Sequence, residues 1–179
     1  MTVQPIKLKS DRDKMKKALH GRNQLLFTLG ISFGLRVSDL LTIRVGDVRG
    51  KHLLKLREGK TGKTKEIRIN SHLQKQLSKV KGFDDDYLFA SRKGDNKPIT
   101  RTQSYRILNE AAERAGIKER IGSVGCHSLR KSHGWMLYEQ GLDITRIMRA
   151  LNHSSQDVTL SYIGVEQDEI DEAIEAIVV

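Results

Sequence analysis

Only two short segments of this sequence alternate apolar and polar residues, His52–Leu56 and Lys65–Ile69, and the run Gly59-Lys60-Thr61-Gly62 lies between them. Period-two alternation marks a strand with one buried face, so the pair reads as a single antiparallel hairpin with a basic loop. Elsewhere the apolar residues recur at helical intervals. Leu25, Leu26, Leu29 and Phe33 do so within 22–33, and Gly34 follows as a stop signal. Helices are expected at 11–20, 22–33, Ser38–Ile43, 71–80, 101–115, 127–139, 143–150, 155–162 and 167–177. A turn is expected at Gly46-Asp47 and a short extended link at Tyr87–Phe89. The expected fold class is mainly α with a small antiparallel β-sheet, and 179 residues suffice for one domain with its own core.

Charge narrows the class of partner. The chain carries 32 Lys and Arg against 22 Asp and Glu, a formal net of +10. The excess is uneven, because the end of the chain holds Glu166, Asp168, Glu169, Asp171, Glu172 and Glu175 with no Lys or Arg. A basic body with an acidic tail points to a polyanion, and nucleic acid is the commonest. The best apolar run, within Gln24–Phe33, is far too short to cross a bilayer, and no secretory signal follows the N-terminal lysines. A single cysteine, Cys126, excludes an internal disulfide and fits a reducing cytoplasm, the expected location.

Four segments carry chemistry. Arg36, in Gly34-Leu35-Arg36-Val37-Ser38-Asp39-Leu40, sits at the break between two apolar helices, where a guanidinium is costly unless it meets an anion. Asp39 is positioned to orient it, and a plain intramolecular ion pair is the competing role. The hairpin region bears seven basic residues between 51 and 68 (Lys51, Lys55, Arg57, Lys60, Lys63, Lys65, Arg68) against two acids, suited to touching DNA phosphates or simply solvated. His127 and Arg130 are i, i+3 neighbours on one helix face, so imidazole and guanidinium point at one spot. Cys126, His127 and His133 lack the spacing of zinc ligands, so no metal is expected. Last come Leu151-Asn152-His153 and, nine residues beyond His153, Tyr162.

Together these segments resemble the tyrosine recombinase (phage integrase) family. Arginine, lysine, His-x-x-Arg, histidine and tyrosine follow in the family's order, and the resemblance covers about residues 20 to 165. Arg36 matches the first arginine box, Lys60 the hairpin lysine, His127 and Arg130 the His-x-Leu-Arg box, His153 the Leu-Gly-His box and Tyr162 the nucleophile. Two positions depart from the pattern. Asn152 stands where the family has glycine, and Lys131 follows Arg130 where histidine is common. The resemblance implies a catalytic domain at 1–165 with the recombinase fold. At 166–179 an acidic amphipathic helix is expected, striped by Ile170, Ile174 and Ile177, which packs either on its own domain or in a groove of a neighbouring copy. The family's N-terminal DNA-clamping domain is not expected within this sequence.

The implied activity is site-specific DNA recombination or integration through a 3′-phosphotyrosine. Two guanidiniums offer forks of donors that match phosphoryl oxygens, so Arg36 and Arg130 are assigned to the scissile phosphate, with no cofactor and no metal. A free phenol has a pKa of about 10, so Tyr162 needs nearby cations, and His127 serves as base or orienting group. Lys60 is the expected general acid for the leaving 5′ oxygen, and His153 a donor to a phosphoryl oxygen. The expected partners are double-stranded DNA and three further copies of the chain, a homotetramer on DNA that passes through a Holliday junction. Topoisomerase-like relaxation of one duplex and a DNA-binding regulator on the same fold are the alternatives.

Overall fold

The computed structural model describes residues 3–165 and 175–177. Along the chain run α1 (Lys9–Lys17), α2 (Gly21–Phe33), α3 (Val37–Leu41), α4 (Val45–Val48), β1 (Leu53–Arg57), β2 (Thr64–Arg68), α5 (Ser71–Leu77), α6 (Arg101–Arg114), α7 (Lys118–Ile121), α8 (Cys126–Glu139), α9 (Ile144–Ala150) and α10 (Gln156–Ile163). The strands form one antiparallel hairpin in which Leu54 opposes Ile67 and Leu56 opposes Lys65. Single bridges, Arg44 with Tyr87 and Ala90 with Pro98, tie down the extended link at 87–89.

Helix starts follow side-chain capping. Thr100 and Gln103 exchange hydrogen bonds at the start of α6, while Asp143 and Ser155 accept backbone N–H groups at the starts of α9 and α10. Four boundaries differ from the sequence expectation. The first helix runs 9–17 rather than 11–20, because the Gln24 amide takes the carbonyls of Lys16 and Leu19 and ends it. Gly46-Asp47 is not a turn but part of the one-turn helix α4, opened by the Asp47 carboxylate accepting from the Arg44 N–H at 2.8 Å. The short α7 had no periodicity to announce it, and α5 stops at Leu77. The helix expected at 167–177, with Ile170 and Ile174, lies outside the described residues except at 175–177, where Ile177 is exposed.

Two apolar clusters form. The larger is centred on α2, which buries Leu26, Phe27, Leu29, Ile31 and Phe33 nearly all around its axis. It also takes in Leu54 and Ile69 from the hairpin and Leu129 from α8. The smaller gathers Ile147, Leu151, Ile163 and Val165 between α8, α9 and α10, with Trp135 and Tyr162 at its edge. The N-terminal segment is strapped to α8, where Ser132 Oγ accepts from the buried Ile6 N–H at 2.7 Å. No described helix is long and apolar enough to cross a membrane.

Gly134 sets the approach of α8 to the C-terminal helices. A Cβ there would lie 2.5 Å from Ile163 Cγ2 and 3.0 Å from Leu151 Cδ1. Gly→Ala within a helix ordinarily gains about 1 kcal/mol. Here the sign reverses: Gly134→Ala is expected to destabilise by roughly 1–3 kcal/mol through overpacking, read as a lower denaturant midpoint. An unchanged or raised midpoint would show that α8 and α10 have room to part.

Candidate active site

Arg130 is 2% exposed, and a guanidinium so deep needs polar partners. It has two: Nη1 donates to the Gly34 carbonyl and Nη2 to the Leu151 carbonyl. Those residues are the C-caps of α2 and α9, where carbonyls lack intrahelical donors and the helix dipole is negative. Gly34 turns left-handed at φ +57°, and the His133 ring lies against it where a side chain would stand. His133 Nδ1 is 2.8 Å from the Ile31 carbonyl, so it donates there as Nδ1–H.

Arg36 is the N-cap of α3, with a largely covered side chain. Its anion is not Asp39 but Glu58, whose Oε2 lies 3.2 Å from Arg36 Nη1. Asp39 is buried as well, but its Oδ1 accepts from the Gly59 N–H at 3.0 Å and so holds the base of the hairpin loop. Glu58 is wholly buried and also accepts from Thr61 Oγ1 at 2.8 Å and Asn152 Nδ2 at 2.7 Å. Burial raises its pKa, but these donors and the charges of Arg36 and Lys65 outweigh that and lower it overall. Asn152 adopts φ +51°, the left-handed conformation that glycine takes freely and asparagine tolerates. Here asparagine adds an amide that reaches the carboxylate.

Lys65 departs from the expectation of a solvated hairpin cation. Its Nζ donates to the Ala150 carbonyl at 2.9 Å, at the end of α9. Burial first, then the Arg130 charge, pushes its pKa down to about 8. Glu58 and Lys65 were passed over in the sequence, yet the strand pattern held the signal. Leu54, Leu56 and Glu58 share one face of β1, and Lys65, Ile67 and Ile69 share the matching face of β2. Charged residues that continue an apolar stripe are either misplaced or functional.

Tyr162 projects from α10 and lines a cleft of about 410 Å³ together with Arg101, Tyr105, His127 and Lys131. Its buried hydroxyl lies beside the Arg130 guanidinium. Burial raises the phenol pKa, and the charge and hydrogen bond of Arg130, with the charge of Arg36, oppose the rise. The His153 ring stands edge-on to Tyr162 with centroids 4.7 Å apart, and its Nδ1 is 3.2 Å from Thr159 Oγ1. That hydroxyl donates to the Ser155 carbonyl, so His153 Nδ1 carries the proton and Nε2 is free. His127, at the mouth of the cleft, has its pKa lowered by partial burial and by the Arg101 and Arg130 charges. Five of the six residues singled out in the sequence therefore lie around one cleft and the two arginines. The sixth, Lys60, is exposed at the hairpin tip and has no hydrogen bond or ion pair among the described residues.

The phage integrase family model matches residues 8–169, and the chain belongs to that family, whose relatives define a tyrosine-type site-specific recombinase. It is 39% identical over 171 residues to the probable integrase/recombinase YoeC of Bacillus subtilis, covering 93% of this chain and 92% of that one. It is 34% identical to tyrosine recombinase XerA of Pyrococcus furiosus over 86% of this chain, but spans only 54% of that protein. Among solved structures, a lambda integrase tetramer bound to a Holliday junction superposes with a TM-score of 0.70 at 19% identity, over 93% of this chain and 50% of that one.

The histidines make stability depend on pH. Burial pushes His133 down to about 4 and lowers His127 and His153 too, from an ordinary 6.5. Between those values the unfolded chain binds more protons than the folded one, so stability falls as pH falls from 6.5 towards 4. The urea midpoint is expected to drop across that window. His133→Asn should flatten the drop by about 2–3 kcal/mol at its full extent. A profile as steep as wild type would show that His133 already binds its proton in the folded state.

Proposed function

We propose that this chain cuts and rejoins double-stranded DNA by metal-free transesterification, with Tyr162 as nucleophile and a 3′-phosphotyrosine as intermediate. The observation that carries this is the buried Tyr162 hydroxyl, set beside the guanidinium of Arg130 and within reach of the charge of Arg36. Arg130 spends one N–H of each terminal nitrogen on a backbone carbonyl, which fixes its plane and leaves donors for a phosphoryl oxygen. Arg36 takes the other oxygen. Both bind the pentacoordinate transition state more tightly than the diester because it carries more charge.

His127, kept neutral by its surroundings, accepts or relays the phenol proton. His153 donates to a phosphoryl oxygen through Nε2 once the phosphate's charge has raised its pKa and brought it a second proton. Lys60 supplies the proton to the leaving 5′ oxygen when DNA draws the hairpin tip into its groove. The ester keeps the bond energy, so a second DNA hydroxyl reverses the step without ATP. The chain works in the cytoplasm, where its lone buried thiol stays reduced, and as a tetramer on DNA, with residues 166–179 linking neighbouring copies.

A nicked suicide substrate is expected to trap the wild type covalently and to leave Tyr162→Phe free; trapping by the phenylalanine variant would move the nucleophile elsewhere. Lys60→Ala should lose most cleavage and regain it on a substrate with a 5′-bridging sulfur, which leaves without a proton. Absence of rescue would assign the acid to another group. Removing residues 166–179 should impair synapsis more than binding to a single site, and normal synapsis by the shortened chain would refute the tail's role.

A further inference from the structure

Lys131 is the one departure in the His-x-x-Arg segment that the mechanism above leaves idle. It is 7% exposed, yet its ammonium has no hydrogen bond or ion pair among the described residues. Its Nζ lies 5.2 Å from the centroid of the Tyr162 ring, on the cleft that both side chains line, and its charge also reaches His127. A buried cation without an anion is costly, and such a group is retained where a charge arrives later.

We propose that Lys131 is a further catalytic residue, its ammonium held on the Tyr162 ring to stabilise the phenolate that attacks the phosphorus. This rests on Tyr162 being the nucleophile. In the cleavage step the phenol proton passes to the base, the Oη–P bond forms, the P–O5′ bond breaks, and O5′ receives a proton from the general acid. Lys131 exchanges no proton; it contributes charge. The need for it arises from the arginines. Without DNA, Arg130 and Arg36 oppose the effect of burial on the phenol, which still leaves its pKa raised. Once the scissile phosphate binds, its negative charge is spent on those two guanidiniums, and their help to the phenolate falls. The groups facing Tyr162 are then Arg130 and Lys131 from α8, His127 at the start of α8, Arg36 from α3, His153 from the loop before α10 and, across the cleft, Arg101 from α6. Of the two full cations here that the phosphate does not occupy, Arg101 and Lys131, it is Lys131 whose ammonium lies over the Tyr162 ring. A cation over a ring whose charge is rising gains strength in the transition state, which is the requirement for catalysis rather than plain binding.

The test uses single-turnover cleavage of the suicide substrate at saturating DNA. Lys131→Met is expected to cleave about tenfold more slowly near neutral pH. The deficit should shrink as pH rises towards the phenol's own titration, with DNA affinity unchanged. Lys131→Arg should retain most of the rate. Fluorinated tyrosine at position 162, which ionises more readily, should rescue the methionine variant, and its 19F titration in the free protein should move upward when Lys131 is replaced. A deficit that is constant with pH and not rescued by the fluorinated residue would overturn the proposal, as would an unchanged rate. Lost DNA affinity with a normal rate at saturation would also overturn it and make Lys131 a phosphate holder. Failure of the wild type itself to form the covalent adduct would instead refute the assignment of Tyr162, and so the two failures are distinguishable.

Discussion

The guanidinium of Arg130 joins the two halves of this structure. Gly34 closes the central helix of the larger core, and Leu151 belongs to the smaller cluster that carries Tyr162. By donating to both carbonyls, Arg130 settles two helix ends that would otherwise be unsatisfied, and it fixes the distance between the clusters. The carbonyls in turn lower the cost of burying a charge, so neither side of the arrangement is stable without the other. Lys65 repeats the device one residue earlier in the chain, on the Ala150 carbonyl at the end of α9. Two cations at one helix C-terminus is a favourable use of the dipole, and it places the hairpin, α9 and the nucleophile's helix in one frame.

Glu58 explains how so many cations coexist. It binds Arg36, receives an amide from the turn that carries His153, and lies opposite the same protein wall as Lys65. One carboxylate thus links the first arginine, the hairpin and the histidine loop. Asn152 is the matching partner. A glycine would adopt the same left-handed turn but would leave the carboxylate short of one donor. The departure from the family pattern at residue 152 thus supplies a donor to the acid at residue 58.

The helices and the single hairpin were legible in the sequence because periodicity carries them, whereas the six candidate site residues were picked out by their ordered match to the recombinase boxes. Arg130 and His127 share a helix face by pitch alone, and capping residues mark the starts of α6, α9 and α10. What escaped depends on partners distant in sequence. Asp39 was a reasonable partner for Arg36 at three residues' distance, but Glu58, 22 residues on and just past the end of β1, pairs with it instead. The inward turn of Lys65 was readable from its phase with Ile67 and Ile69, yet a count of basic residues set it among the solvated ones. Charge counts ignore phase, and phase decides burial.

The charges of the site do not balance in the absence of DNA. Arg36, Arg130, Lys65 and Lys131 face the buried carboxylates Asp39 and Glu58, and the lowered pKa values of His127 and His153 keep both imidazoles neutral at neutral pH. Positive charge is left over, and Arg101 in the cleft adds to it. On the proposed reaction a phosphodiester brings the negative charge that this excess awaits, and the phenol's proton moves within the site to His127. An environment built in this way does not reorganise at the moment of reaction, since its dipoles and cations are already fixed by helix ends, by the Glu58 network and by packing at Gly134. The buried hydroxyl of Tyr162 beside Arg130 and the ammonium of Lys131 over its ring then both face the place where that negative charge arrives.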